Sequence, residues 1–170
     1  MAKLIRKQRV AADNWQRLEL GADGALPSIP AEGDVIVPLK AWLARHDSLA
    51  VRAGNTGVWL DANEGPEAIA ADLKRLPLIA VRFPSHVDGR GYSTARLLRE
   101  RYGYAGELRA FGDVGRDHVL NMQRCGFDAF ELREGEDEAG AIAAFAELPE
   151  AYQASVTEPQ PLLRRRLANA

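Results

Sequence analysis

LIAVRFPSHVDGRGYSTARLLRERYGYAGELRAFGDVGRDHVLNMQRCGFDAFELR, residues 78–133, reads as strand, loop, helix, strand, loop, helix, strand. Leu78-Ile79-Ala80-Val81 is continuously apolar, the pattern of a strand covered on both faces. The helix after it is framed by Ser93 as N-cap and Gly103 just past its end, with Ala95, Leu98 and Tyr102 facing inward and Leu97 beside them. Glu107 to Phe111 is the second strand. Asp113 or Asp117 caps the second helix, which carries Val119, Met122 and Cys125 and stops at Gly126. Ala129 to Leu132 closes the block as a third strand.

Working upstream, Pro66 opens a helix with Ile69, Leu73 and Leu76 on one face. Val58-Trp59-Leu60 is extended. Leu49-Ala50-Val51 reads as a strand, so the turn residues Gly54-Asn55-Thr56-Gly57 make either a hairpin or an interruption of one strand. Leu39, Trp42 and Leu43 are spaced for a helix after the apolar run Val35-Ile36-Val37. Residues 1–33 read as a peripheral N-terminal segment, its basic start (Lys3, Arg6, Lys7, Arg9) a solvated arm and Trp15, Leu18 and Leu20 a docked strand or turn. Downstream, Ala139 to Leu148 forms a helix. Beyond Pro149 the chain turns to a tail, 151–170, whose Arg164-Arg165-Arg166 is solvated or a handle for an acidic partner.

Strands alternating with helices at this spacing predict a single α/β domain over 34–150. Its sheet is mainly parallel and built from repeated βα units. The units are too few for an eight-stranded closed barrel, which leaves an open sheet or a half-barrel. Exposed edges then predict self-association into a homo-oligomer, a homodimer in the simplest case.

Composition narrows the function classes. With 170 residues, 46% apolar and 27% charged, the chain suits one globular domain. A net charge of −2 offers no general attraction to nucleic acid or to anionic membranes. No stretch suits a membrane span or a signal peptide, so the expected location is cytoplasmic. The single cysteine, Cys125, rules out an internal disulfide and a cluster held by this chain alone, and it reads as a buried small residue. Three scattered histidines suggest no metal site. No nucleotide or flavin fingerprint marks a cofactor.

In parallel α/β sheets the ligand crevice lies beyond the C-terminal strand ends. Two loops fall there, Phe83 to Ser93 and Gly112 to His118, each combining glycine, arginine, aspartate and histidine. Glycine permits close backbone approach, arginine offers a fork for an oxyanion, and histidine moves protons near neutrality. The candidate anion-binding set is Arg82, Asp88, Gly89, Arg90, Gly91, Tyr92, Ser93, Arg109, Asp113 and Arg116, with Asp88 and Asp113 as candidate proton carriers. The plainer alternative is that the glycines shape turns and that Arg90 pairs with Asp113 or Asp117. Arg52, Arg82, Arg109 and Arg133 recur beside apolar runs at separations of 30, 27 and 24 residues. They make either a cationic face or a set of strand-end arginines paired with neighbouring acids.

The block from DGRGYSTARLLRERYGYAGELRAFGDV through RCGFDAFEL resembles a bacterial domain-of-unknown-function family labelled a probable oxidoreductase involved in sulfite reduction. The likeness is strong over residues 77–132 and looser over 35–76. Family positions present here are Asp88, Gly89, Arg90, Gly91, Tyr92, Ser93, Arg96, Arg99, Glu100, Arg109, Gly112 and Asp113. His86 stands where phenylalanine is usual and His118 where glutamine is common, which lowers both as proton carriers. The label rests on genes beside an assimilatory sulfite or nitrite reductase. What it implies is an accessory protein of sulfite reduction with a siroheme reductase as partner. A small oxidoreductase, or another enzyme acting on a sulfur or phosphate oxyanion, and a structural homodimer are the alternatives.

Overall fold

The computed structural model describes residues 3–148 and 150–168, so Pro149 lies outside it. In chain order the elements are β1 (Lys3–Arg6), β2 (Arg9–Ala11), β3 (Trp15–Arg17), β4 (Asp34–Pro38), α1 (Leu39–Ala50) and β5 (Thr56–Leu60). A 3-10 turn (Pro66–Ile69) leads to β6 (Leu78–Phe83), α2 (Arg90–Arg96, prolonged by a π turn over Leu97–Arg101) and β7 (Glu107–Gly112). The chain then runs through α3 (Arg116–Arg124), β8 (Ala129–Leu132), α4 (Glu138–Ala144) and α5 (Leu162–Ala168).

One eight-stranded sheet runs in the order β2-β1-β8-β7-β6-β5-β4-β3. From β3 to β8 the strands are parallel and in chain order, while the β1–β2 hairpin adds antiparallel to β8. An order without reversal sends every crossover the same way, so the helices share one face. The burial agrees. Val37, Val58, Ile79, Val81, Leu108 and Phe130 form one core with Trp42 of α1, Leu98, Met122 of α3 and Ala141 of α4. The other face holds a separate cluster of Ile36, Trp59, Leu78, Ala80 and Phe111, with Trp15 against it. Burial on both faces is why β6 reads as an unbroken apolar run.

The curl of the sheet follows from chain length. Laid flat, its two edges would stand about 34 Å apart. β2 and β3 sit at those opposite edges with only residues 12–14 between them. The chain from Ala11 to Trp15 reaches about 14 Å at most, so the sheet must bend into a half-barrel with its edges drawn together. Contacts across the hollow fit this. Asp13 Oδ2 accepts from Arg109 Nη1 of β7 at 2.8 Å, Arg17 pairs with Glu131 of β8, and Leu18 carbonyl accepts from Trp59 Nε1 at 2.8 Å.

Of the segment 1–33, the described residues 3–33 are therefore more than a peripheral piece, and Lys3–Arg6 is a sheet strand in place of the expected solvated arm. Leu4 and Ile5 are buried at the β8 edge, and β1 to β3 belong to the sheet. Segment 151–168 is pinned as well: Val156 N–H donates to the Arg124 carbonyl at 3.0 Å, and Leu162 of α5 is buried. Leu49 to Val51 is neither hairpin nor strand, because Leu49 lies in the last turn of α1 and is buried like Leu39 and Trp42, and Val51 caps the helix. Ile69, Leu73 and Leu76 are buried as their spacing predicts, but on successive tight turns (Ala70 N–H to Glu67, Asp72 to Ile69, Arg75 to Asp72) instead of one helix. α2 starts at Arg90, before Ser93, because Asp88 Oδ1 accepts the Arg90 N–H at 3.1 Å and launches the first turn earlier. Among the described residues no helix is long and apolar enough to cross a membrane.

Candidate functional site

Parallel pairing of β6 with β7 sets Phe83 opposite Gly112, so the loops after them leave the C-terminal rim side by side. Asp113 N–H donates to the Phe83 carbonyl at 2.8 Å, and His86 N–H donates to Asp113 Oδ2 at 2.8 Å. Two glycines permit this. A Cβ at Gly112, whose φ is +99°, would lie 2.3 Å from the Phe83 carbonyl oxygen. One at Gly91 would lie 2.5 Å from the Phe83 ring, which packs under the first turn of α2. Edge contacts to Tyr92 (5.3 Å between centroids) and Phe127 (5.7 Å) hold that ring in place. Gly91 and Tyr92 thus serve packing.

The polar groups at the rim form arginine–carboxylate pairs. Asp88 accepts from Arg90 Nε at 2.9 Å and Nη2 at 2.5 Å besides the backbone N–H. That side-chain fork, with the backbone bond, pushes the Asp88 carboxyl down to about 2. Asp113 takes Arg133 Nη1 at 2.8 Å beside the His86 amide, and these bonds, the arginine's first, lower its carboxyl too. Arg133 also grips Glu136 at 2.6 Å. Arg82, half exposed, faces Asp61 at 3.4 Å, and Asp61 also acts on Arg90. Three guanidiniums thus meet four carboxylates, Asp61, Asp88, Asp113 and Glu136. These groups carry one net negative charge, and an oxyanion enters only by displacing a carboxylate. Both candidate proton carriers are ionised at neutral pH with their oxygens already occupied, which makes them poor acids and poor bases.

Other members of the candidate set lie apart. Arg109 is 1% exposed inside the half-barrel, between Glu107 and Asp13. Arg116 turns away to Glu147 of the α4 side. Ser93 is exposed within α2, and Gly89 stands in open space. The recurring arginines share no cationic face. Arg52 gives its guanidinium to the carbonyls of Pro30 (2.7 Å), Glu32 (2.8 Å) and Asn55 (3.2 Å), while Arg82, Arg109 and Arg133 meet acids. Burial pushes the half-buried Cys125 thiol up, the reverse of an activated nucleophile. Asp61 and Glu136 belong to the rim but carry no motif. Their one signal is position, since Asp61 follows β5 as Asp113 follows β7.

Among the described residues no group of three or more His, Cys, Asp or Glu is placed to hold a metal ion. Comparison with curated proteins finds no match. A family model described as a bacterial protein of unknown function matches residues 57–163, from β5 into α5 and across both rim loops. The chain belongs to that family, DUF934.

Proposed function

We propose that this protein is an accessory of assimilatory sulfite reduction, which binds a siroheme sulfite or nitrite reductase through the C-terminal rim of its sheet. The resemblance over residues 77–132 supplies the process and the partner; the rim supplies the mode. The observation that carries the mode is the pairing of Asp88 with Arg90 and of Asp113 with Arg133. It leaves charged forks for recognition and no free carboxyl for proton transfer. Exposed ion pairs are worth little on their own, so Arg90 and Arg133 can exchange an internal carboxylate for one on a partner at small cost. Val87, 79% exposed in the loop that leads to Arg90, adds an apolar contact point. The same exchange lets an oxyanion such as sulfite take Arg90 from Asp88, with Arg82 beside it.

Mixing the protein with the reductase at low ionic strength is expected to give a co-sedimenting complex that weakens as salt rises, and to change reductase turnover. Arg90→Glu with Arg133→Glu should abolish both effects. No complex together with unchanged turnover would refute the proposal.

A further inference from the structure

A cleft lies at the opposite end of the sheet, where β5, β6 and β7 begin. It measures about 450 Å3, between the 73–77 segment and the 102–106 loop. That is a size that encloses small organic ligands. A second hollow of about 140 Å3 shares Asn55, Arg75 and Pro77 with it and extends it toward Trp42.

Its walls differ from the rim in charge. Lys74 and Arg75 line it, and no aspartate or glutamate is among the described lining residues. The carboxylate nearest Arg75, Asp72, is 4.0 Å away and already meets Trp42 Nε1 at 3.1 Å and His46 Nε2 at 2.9 Å. Arg52, at the far end, is spent on backbone carbonyls. Lys74 and Arg75 are both exposed, so their donors are open to a ligand. A second observation points the same way. Thr56, 8% exposed, lines the smaller hollow, and its hydroxyl has no hydrogen-bond partner. Buried hydroxyls are nearly always paired, so an orphan just behind the lining of a cleft is a group that a bound molecule or its water can satisfy. Pro77 and the half-buried Tyr102 supply apolar wall to the cleft, and Pro77 lines the smaller hollow as well.

We propose that this cleft binds a phosphate monoester with a planar or apolar body. The dianionic head meets Lys74 and Arg75, and the body lies along Pro77 and Tyr102 toward Thr56. Two adjacent cations match the charge of a monoester near neutrality, and charge-assisted bonds give the head its hold. The site is separate from the rim and holds whether or not a reductase is the partner.

Calorimetric titration with phenyl phosphate, backed by Trp42 fluorescence, tests it. Wild type should bind saturably and bind inorganic phosphate more weakly, for want of the body. Lys74→Ala with Arg75→Ala, both surface changes, should weaken phenyl phosphate roughly tenfold or more while the thermal unfolding curve stays in place. Arg90→Ala at the rim should bind as wild type does. No saturable binding at millimolar ester, equal binding by the double variant, or equal affinity for inorganic phosphate would overturn the proposal.

Discussion

Replacing Arg109 by alanine is expected to lower the folding free energy by about 3–5 kcal/mol, the usual cost of stripping one partner from a buried ion pair. The side chain is 1% exposed inside the half-barrel. Its Nε and Nη2 donate to Glu107 Oε1 at 3.0 and 2.9 Å, and its Nη1 donates to Asp13 Oδ2 at 2.8 Å. Glu107 keeps Arg6 at 2.7 Å after the change, so the loss falls hardest on Asp13. Asp13 sits in the short connection that draws the sheet edges together, so denaturant unfolding should show the loss together with faster exchange of the β3 amides. Asp13→Asn with Arg109→Met, keeping Glu107 for Arg6, should recover part of the stability, because the charges of Asp13 and Arg109 are removed together. A loss below about 1 kcal/mol for the single change would place Arg109 in solvent, as an exposed ion pair behaves.

Gly112→Ala is the second large effect, at roughly 2–5 kcal/mol from backbone strain and overpacking together. The residue has φ +99°, and its new Cβ would stand 2.3 Å from the Phe83 oxygen and 3.1 Å from the Phe83 carbonyl carbon. Those are backbone atoms, so the ends of β6 and β7 must part, taking the Asp113 N–H bond to Phe83 with them. Gly89→Ala makes the control. Its φ is −83° and nothing lies within 4 Å of the added carbon, so it should be neutral or slightly stabilising. Urea midpoints distinguish the two. Equal destabilisation would mean that the strand ends are not in contact at the rim.

The parallel βα order was legible because each strand of residues 78–132 buries both faces and each helix carries a spaced apolar stripe. That is local information. The N-terminal strands were not legible. Leu4 and Ile5 are two apolar residues among basic ones, and what buries them is the β8 edge some 125 residues away, through the Ile5–Phe130 pairing. Arg109 was misplaced for a similar reason. Arginine rarely lies in an interior, and its partner Asp13 is 96 residues distant. At the rim, the residue types and the meeting of the two loops could be read from strand-end positions. The pairings could not: Arg90 closes on Asp88, two residues back, and not on Asp113 or Asp117. Asp61 and Glu136 fell outside every motif because only the register of the sheet brings strand ends together.

The rim is a recognition surface only if its carboxylates are fixed anions. Carboxyl carbon NMR titration of Asp88 and Asp113 in the folded protein measures this directly. Asp88 should titrate near pH 2 and Asp113 below the ordinary aspartate value. Because both sit below their unfolded values, their contribution to stability is complete above about pH 4 and fades as the pH falls through the folded values. Either carboxyl titrating at or above the ordinary value of about 3.9 would contradict this, and would restore that residue as a proton carrier.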